Sequence, residues 1–124
     1  RSVLAFSLYE GPVGILIAYD VTNRDSFERV MGQLDDLHHH SMRSLEEFPI
    51  VIVGTKCDRS DRVVTYNEGV SMAIELGYPY VETSAKDGRG IQLALSLVLL
   101  SLAARMDMIP PDVRDRLRRY SLLY

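Results

Sequence analysis

The sequence predicts an α/β fold of three layers, in which parallel strands are joined by right-handed helix crossovers. Short apolar runs at 13–19, 48–53 and 78–82 carry the composition of strands, and the first two read as buried on both faces. Each run is followed by a stretch of helical period. Strand and helix alternate three times without an internal repeat or a low-complexity segment, and that order gives a parallel sheet.

Taken in order, Val13–Tyr19 is rich in β-branched residues and bounded by Gly11-Pro12 and Asp20. Residues 22 to about 40 are read as one helix, with Phe27, Val30, Met31, Leu34 and Leu37 on one stripe. Thr22 and Asp25 have the spacing of a capping box, with Asp the weaker choice at its fourth position. Phe48–Val53 is the second strand. Tyr66–Leu76 is the second helix, started by the capping box Thr65-x-x-Glu68 and stopped by Gly77. Tyr78–Glu82 is the third strand and Ile91–Met106 the third helix, ended by Pro110-Pro111. The last helix is apolar almost all round, from Leu93 to Leu102. Part of it is needed to cover one face of the sheet alone, and the remainder is expected to leave an exposed apolar patch.

The chain has 124 residues, 47% of them hydrophobic and 25% charged, ordinary values for a soluble globular domain. That length is one domain or part of one. A net charge of −3 argues against a nucleic-acid binder that lives on phosphate contacts. Cys57 is the only cysteine, which excludes an intrachain disulfide and a cysteine metal cluster and makes a reducing, cytoplasmic setting the default. Cys57 itself reads as a small buried hydrophobe rather than a redox switch. No signal peptide or membrane-spanning run is visible.

In an open parallel sheet, ligands sit at the carboxyl ends of the strands. Three polar clusters fall there: Asp20-Val21-Thr22, Thr55-Lys56-Cys57-Asp58 and Thr83-Ser84-Ala85-Lys86. Thr-Lys-x-Asp after "VIVG", followed downstream by Glu-Thr-Ser-Ala-Lys, resembles the guanine-specificity motifs of the Ras-like small GTPases. "YDVTNRDSF" at 19–27 resembles a further segment of that family, and the likeness covers roughly residues 13–104. Both motifs in order, each at a strand end, should arise by accident in well under about 1 chain in 1,000 on ordinary residue usage.

The resemblance implies a binding site for GTP or GDP built from Thr55, Lys56, Asp58, Ser84, Ala85 and Lys86. Asp58 would accept the ring N–H and exocyclic amine that guanine places side by side, where adenine offers an acceptor instead. The Lys56 stem would lie flat on the base, the Ala85 N–H would meet the guanine oxygen, Ser84 would hold Asp58, and Lys86 would flank the other side. Thr55 departs from the Asn found in most of the family and has a Rho flavour, which implies looser recognition. "EEFPIVIVGTKCD" and "ELGYPYVETSAK" lean toward the Ras branch over Rab.

The same resemblance implies Mg²⁺, GTP hydrolysis, regulators and effectors for a complete domain acting as a signalling switch. Yet this sequence contains no G-x-x-x-x-G-K-[ST], and the family's Asp-x-x-Gly motif and the Thr and Gln that sense the third phosphate are missing from it, since Asp87-Gly88-Arg89-Gly90 falls downstream of both base motifs. The expectation is a partial P-loop GTPase-like fold lacking its N-terminal half, with residue 1 just past Asp-x-x-Gly in loop or helix, residues 1–106 forming the partial domain, and 107–124 a tail. No metal ligands are expected, no catalysis is expected, and nucleotide affinity is expected to be weak. Two other readings are kept: a GTPase-derived interaction module without nucleotide chemistry, and an unrelated enzyme with a similar sheet.

Other features read plainly. His38-His39-His40 is a solvated helix end, because neighbouring helical residues diverge. Gly11 and Gly14 suit turn geometry, and Asp20 and Thr22 suit the start of the helix. The tail has four arginines and two aspartates after Pro111, with a weak amphipathic turn through Val113 and Leu117, and it ends without a Cys-a-a-X lipid-anchor motif. With no phosphate-loop strand beside it, Val13–Tyr19 is expected to be a bare sheet edge, and the chain to self-associate through it.

Overall fold

The computed structural model describes residues 3–7, 12–40 and 49–106, with side chains described for 14–39 and 49–101. Within these residues, four strands and four helices follow one another as β1 (Val3–Ser7), β2 (Pro12–Asp20), α1 (Arg24–Glu28), α2 (Val30–His40), β3 (Ile50–Thr55), α3 (Tyr66–Leu76), β4 (Tyr80–Glu82) and α4 (Ile91–Met106). They form one sheet in the order β1-β2-β3-β4. The β2, β3 and β4 strands are parallel, as their helical crossovers require. The fold is the α/β arrangement expected of a partial GTPase-like domain. Pro110-Pro111, Phe48, Gly11 and the whole 107–124 tail lie outside the described residues.

The beginning of the chain differs from the sequence expectation. Val3–Ser7 is a strand, neither loop nor helix, and it pairs antiparallel with β2, Val3 opposite Ile17 and Phe6 opposite Gly14. The apolar run Val-Leu-Ala-Phe satisfies the open row of N–H and C=O groups that β2 would otherwise present. Val13–Tyr19 is therefore an interior strand, and the bare-edge argument for self-association falls away.

Two cores sandwich the sheet. On one face Ile15, Ile17, Tyr19, Ile50 and Ile52 pack against Val30 and Leu34 of α2 and Ala73 of α3. On the other, Leu16, Val51, Val53 and Val81 meet Ala94 and Val98 of α4. Alternate residues of a strand point to opposite faces, so a run such as Ile50-Val51-Ile52-Val53 feeds both cores. Among the described residues the α4 helix alone covers its face, and Ile91, Leu95 and Leu99 are exposed on it at a spacing of four. None of the described helices is long and apolar enough to cross a membrane.

Helix starts and stops show which local signals won. Thr65 and Glu68 make the reciprocal capping box, and Gly77 ends α3 at φ 80°. The expected box at Thr22 and Asp25 does not form. Asn23 is the cap instead, its side chain accepting from Ser26 N at 3.1 Å, because the Thr22 hydroxyl is engaged by Asp20. The expected single helix is divided at Arg29 into α1 and α2, and Met31 is exposed while Val30 and Leu34 are buried. His38 and His39 are exposed, and His39 Nδ1 lies 2.7 Å from the Asp35 carbonyl. No cluster of three metal-binding side chains exists among the described residues.

Two glycines mark close approaches rather than turns. A Cβ on Gly14, within β2, would run into Val98, so this glycine lets α4 sit against the strand. A Cβ on Gly69 would collide with the ring and hydroxyl of Tyr80 and with the Tyr19 hydroxyl. Gly69→Ala is therefore expected to lower stability by about 2 kcal/mol, as overpacking does in a filled interior. Urea unfolding with an unchanged slope would measure it.

The Arg24–Glu68 pair ties α1 to α3, with both Glu68 oxygens contacted by the guanidinium at 2.7 and 3.2 Å. The Arg24 hydrogen bond, helped by Thr65 N–H, holds the Glu68 carboxyl down from 4.5 to about 2. A lowered carboxylate contributes stability above its unfolded value and loses it as the folded group is protonated. The loss should run from about pH 4.5 to about pH 2. Glu68→Gln should flatten the acid limb of the stability profile within that window, measured by denaturant midpoints at successive pH values.

Candidate functional site

The parallel register brings three strand ends to one height. Asp20 stands opposite Thr55 and Gly54 opposite Glu82, and the Thr83 N–H donates to the Gly54 carbonyl at 2.8 Å. Beyond these ends the chain turns into an open cleft of about 640 Å³ lined by Lys56, Asp58, Arg59, Ser60, Asp61, Ala85 and Lys86. Four of the six residues singled out in the sequence (Lys56, Asp58, Ala85 and Lys86) are therefore neighbours along one cleft. The other two sit behind it.

Ser84 is fully buried, and its hydroxyl donates to Asp58 Oδ1 at 2.6 Å. The same hydroxyl oxygen accepts from Asp87 N at 3.3 Å, and Gly88 N donates to the Ser84 carbonyl at 2.8 Å. Serine thus fixes the carboxylate and the 84–88 turn together. Thr55 turns away from the cleft: its hydroxyl donates to the Tyr19 carbonyl at 2.9 Å, tying β3 to β2. Cys57 is half-buried rather than buried, donates its N–H to the Thr83 carbonyl at 3.0 Å, and has a thiol pushed above its ordinary range by burial. It is not poised as a thiolate.

Lys56 adopts φ 62°, the one left-handed non-glycine among the described residues. Its ammonium reaches Asp20 Oδ2 at 2.8 Å. Asp20 Oδ1 accepts from Thr22 N at 2.8 Å and from the Thr22 hydroxyl at 2.6 Å. Partial burial works to raise the Asp20 carboxyl, but hydrogen bonds from Lys56 and Thr22 outweigh it, and the group lies below its ordinary range. The sequence reading assigned Asp20 to the start of the helix and missed this pair. No local pattern signals it: the register of the folded sheet places Asp20 across from the residue preceding Lys56.

Under the cleft runs a polar chain that sequence reasoning did not find. Arg62 makes a two-pronged ion pair with Glu82, Nη1 to Oε1 at 2.9 Å and Nη2 to Oε2, while its Nε donates to the Val64 carbonyl at 2.6 Å. Glu82 Oε2 accepts from the Tyr80 hydroxyl at 2.7 Å, and the Tyr80 oxygen lies 2.5 Å from the Tyr19 hydroxyl. Since Tyr80 gives its proton to Glu82, Tyr19 donates to Tyr80. Burial pushes the Tyr19 phenol up to about 12, and burial with these hydrogen bonds pushes Tyr80 higher still. The chain anchors the 59–64 loop to the sheet.

Comparison with known proteins gives the same answer as the motifs. The sequence model of the Ras family matches residues 2–104. This chain belongs to the Ras family. It is 35% identical over 105 residues to Ras-related protein RIC1 of Oryza sativa subsp. japonica, which aligns 84% of the chain with 50% of that protein. Ras-related protein Rab-26 of Rattus norvegicus is 32% identical over 121 residues, 97% of the chain and 46% of the relative. Ras-related protein RABA5e of Arabidopsis thaliana is 40% identical over 95 residues, 76% of the chain and 42% of the relative. The chain spans about half the length of the curated relatives it matches. Several carry Rab names, where the local wording of the sequence leans to the Ras branch.

The Lys56 backbone offers a test of how the site is held. A non-glycine residue in the left-handed region costs about 1 kcal/mol. Lys56→Gly and Lys56→Ala both lose the pair to Asp20, so Lys56→Gly should be the more stable of the two by about 1 kcal/mol. Thermal unfolding of the two variants side by side measures the difference.

Proposed function

We propose that this chain is the guanine-recognition half of a Ras-like GTP-binding switch protein. The observation that carries the reading is the Ser84–Asp58 hydrogen bond of 2.6 Å at a cleft that also presents Lys56, Ala85 and Lys86. A carboxylate with one oxygen held from below keeps acceptor capacity for the two adjacent donors of guanine. The Ala85 N–H would meet the guanine oxygen, and the Lys56 and Lys86 stems would bracket the base.

The residues assigned above serve the base, and none of them is assigned to the phosphates or Mg²⁺ of the nucleotide. No G-x-x-x-x-G-K-[ST] is present in the sequence, and the described residues hold no cluster of three metal-binding side chains. Hydrolysis is therefore assigned to none of the described residues, and a base cleft alone corresponds to about millimolar affinity. The exposed ridge of Ile91, Leu95 and Leu99 favours a second reading, a protein-interaction module derived from a GTPase, in which this face docks regulators, effectors or another copy of the chain.

Asp58→Asn separates the two readings. The amide donates where the carboxylate only accepts, so the variant should lose discrimination for guanine and gain xanthine binding, by a factor on the order of 10² or more. Competition between GTP and xanthosine triphosphate, in a protein whose phosphate half has been supplied by fusion, checks this. Unchanged selectivity would leave the interaction module as the better account.

A further inference from the structure

We propose that Asp20 is a positioning residue for base binding, acting through Lys56, an inference that rests on the guanine-binding reading above. Lys56 is the one cleft-lining residue here whose backbone sits in the left-handed region, and its stem crosses from the β3 end toward the β2 end. What fixes the far end of that stem is the 2.8 Å contact with Asp20 Oδ2. The Asp20 carboxylate is itself immobilised, because its other oxygen takes both Thr22 donors and its backbone N–H donates to the Ser26 hydroxyl at 2.9 Å. Ser26 Oγ in turn donates to the Asn23 carbonyl at 2.7 Å. The carboxylate is thus seated on the first turn of α1, and its side chain is 22% exposed against 55% for the lysine.

The consequence is a division of labour between two carboxylates. Asp58, fixed by Ser84, faces the base edge and decides which base is accepted. Asp20, fixed by Thr22, makes its ion pair with Lys56 and sets where the lysine methylenes lie, while Arg59 and Asp61 feel its charge without a hydrogen bond to it. A four-carbon stem left unrestrained samples many rotamers, and ordering it on binding lowers affinity. Held at its tip, the stem is already laid along the cleft as a wall for a flat ring. Such a wall is indifferent to the ring's hydrogen-bonding edge, so Asp20 should govern affinity for any purine that enters and leave the choice among purines to Asp58.

The test uses the 124-residue chain, with guanosine 5′-monophosphate titrated to millimolar concentration and followed by amide chemical shifts of residues 54–60 and 83–88. Asp20→Asn should weaken binding about fivefold, the size expected for a partly exposed ion pair, while the weak binding of xanthosine monophosphate falls by the same factor. Asp20→Glu, which keeps the charge, should restore affinity to within about twofold of wild type. In a double-mutant cycle, Asp20→Asn added to Lys56→Met should cost nothing further, since the aspartate acts through the lysine. Additive losses in that cycle would overturn the proposal and make Asp20 a fold residue. So would an Asp20→Asn variant with wild-type affinity, and in that case guanine binding itself would stand. A wild-type chain with no guanosine monophosphate response would overturn the base-binding reading, and this inference with it. If Asp20→Asn fails to fold, Asp20→Ser takes its place in the same cycle: the proposal holds when it loses about fivefold in the wild-type background and nothing further on Lys56→Met, and falls otherwise.

Discussion

The parallel ladder of β2, β3 and β4 is the constraint on which the rest depends. Pairing Asp20 with Thr55 and Gly54 with Glu82 brings three chain segments out of the sheet at one level. Each then turns with a different device: Asp20 gripping Thr22, Lys56 in a left-handed conformation, and Ser84 gripping Asp58. Shifting one strand by a single residue would send every side chain of that strand to the other face. The strands carry Ile and Val on both faces, so a slip would exchange one buried set for another. The polar ends would nonetheless lose their partners, and those partners specify the register.

Two kinds of polar anchoring then hold the cleft. Short hydrogen bonds set individual carboxylates, within one turn at Asp20 and between two loops at Asp58. A longer chain, Arg62–Glu82–Tyr80–Tyr19, fastens a whole loop to the sheet from below. The second is partly buried, and its side chains are paired through both charge and hydrogen bonds, which is the condition for such groups to be tolerated in an interior. Gly69 and Gly54 make room for it, since a side-chain carbon at either position would press on the tyrosine hydroxyls.

Much of this could be read in the sequence, and for identifiable reasons. Apolar runs and a 3.6-residue period are local, so β3, α3, α4 and the two-core arrangement followed from them. The Thr65–Glu68 box and Gly77 were equally local. What escaped depended on competition between neighbours. Thr22 carries the right hydroxyl for a cap, but the Asp20 carboxylate takes it and Asn23 caps instead. The strand at Val3–Ser7 was missed because so short an apolar run cannot be told from a helix segment by period alone, and pairing with β2 decides it. The Asp20–Lys56 and Arg62–Glu82 pairs join residues 36 and 20 positions apart, and only the fold brings them together.

The tyrosine pair beneath the cleft gives the molecule an optical clock at alkaline pH. A phenol raised in the folded state to about 12, as Tyr19 is, stays neutral where an unfolded phenol near 10 has ionised. The unfolded chain therefore gains from each step in pH between those values while the folded chain does not, and stability drains away as the solution is made more basic. Phenolate absorbs further to the red than phenol, so between about pH 10 and 12 ionisation of these two rings follows the opening of the sheet. Absorbance that rises late and with a time lag after a jump to high pH would thus record the opening rate of the β2–β4 layer, without any label attached to the protein.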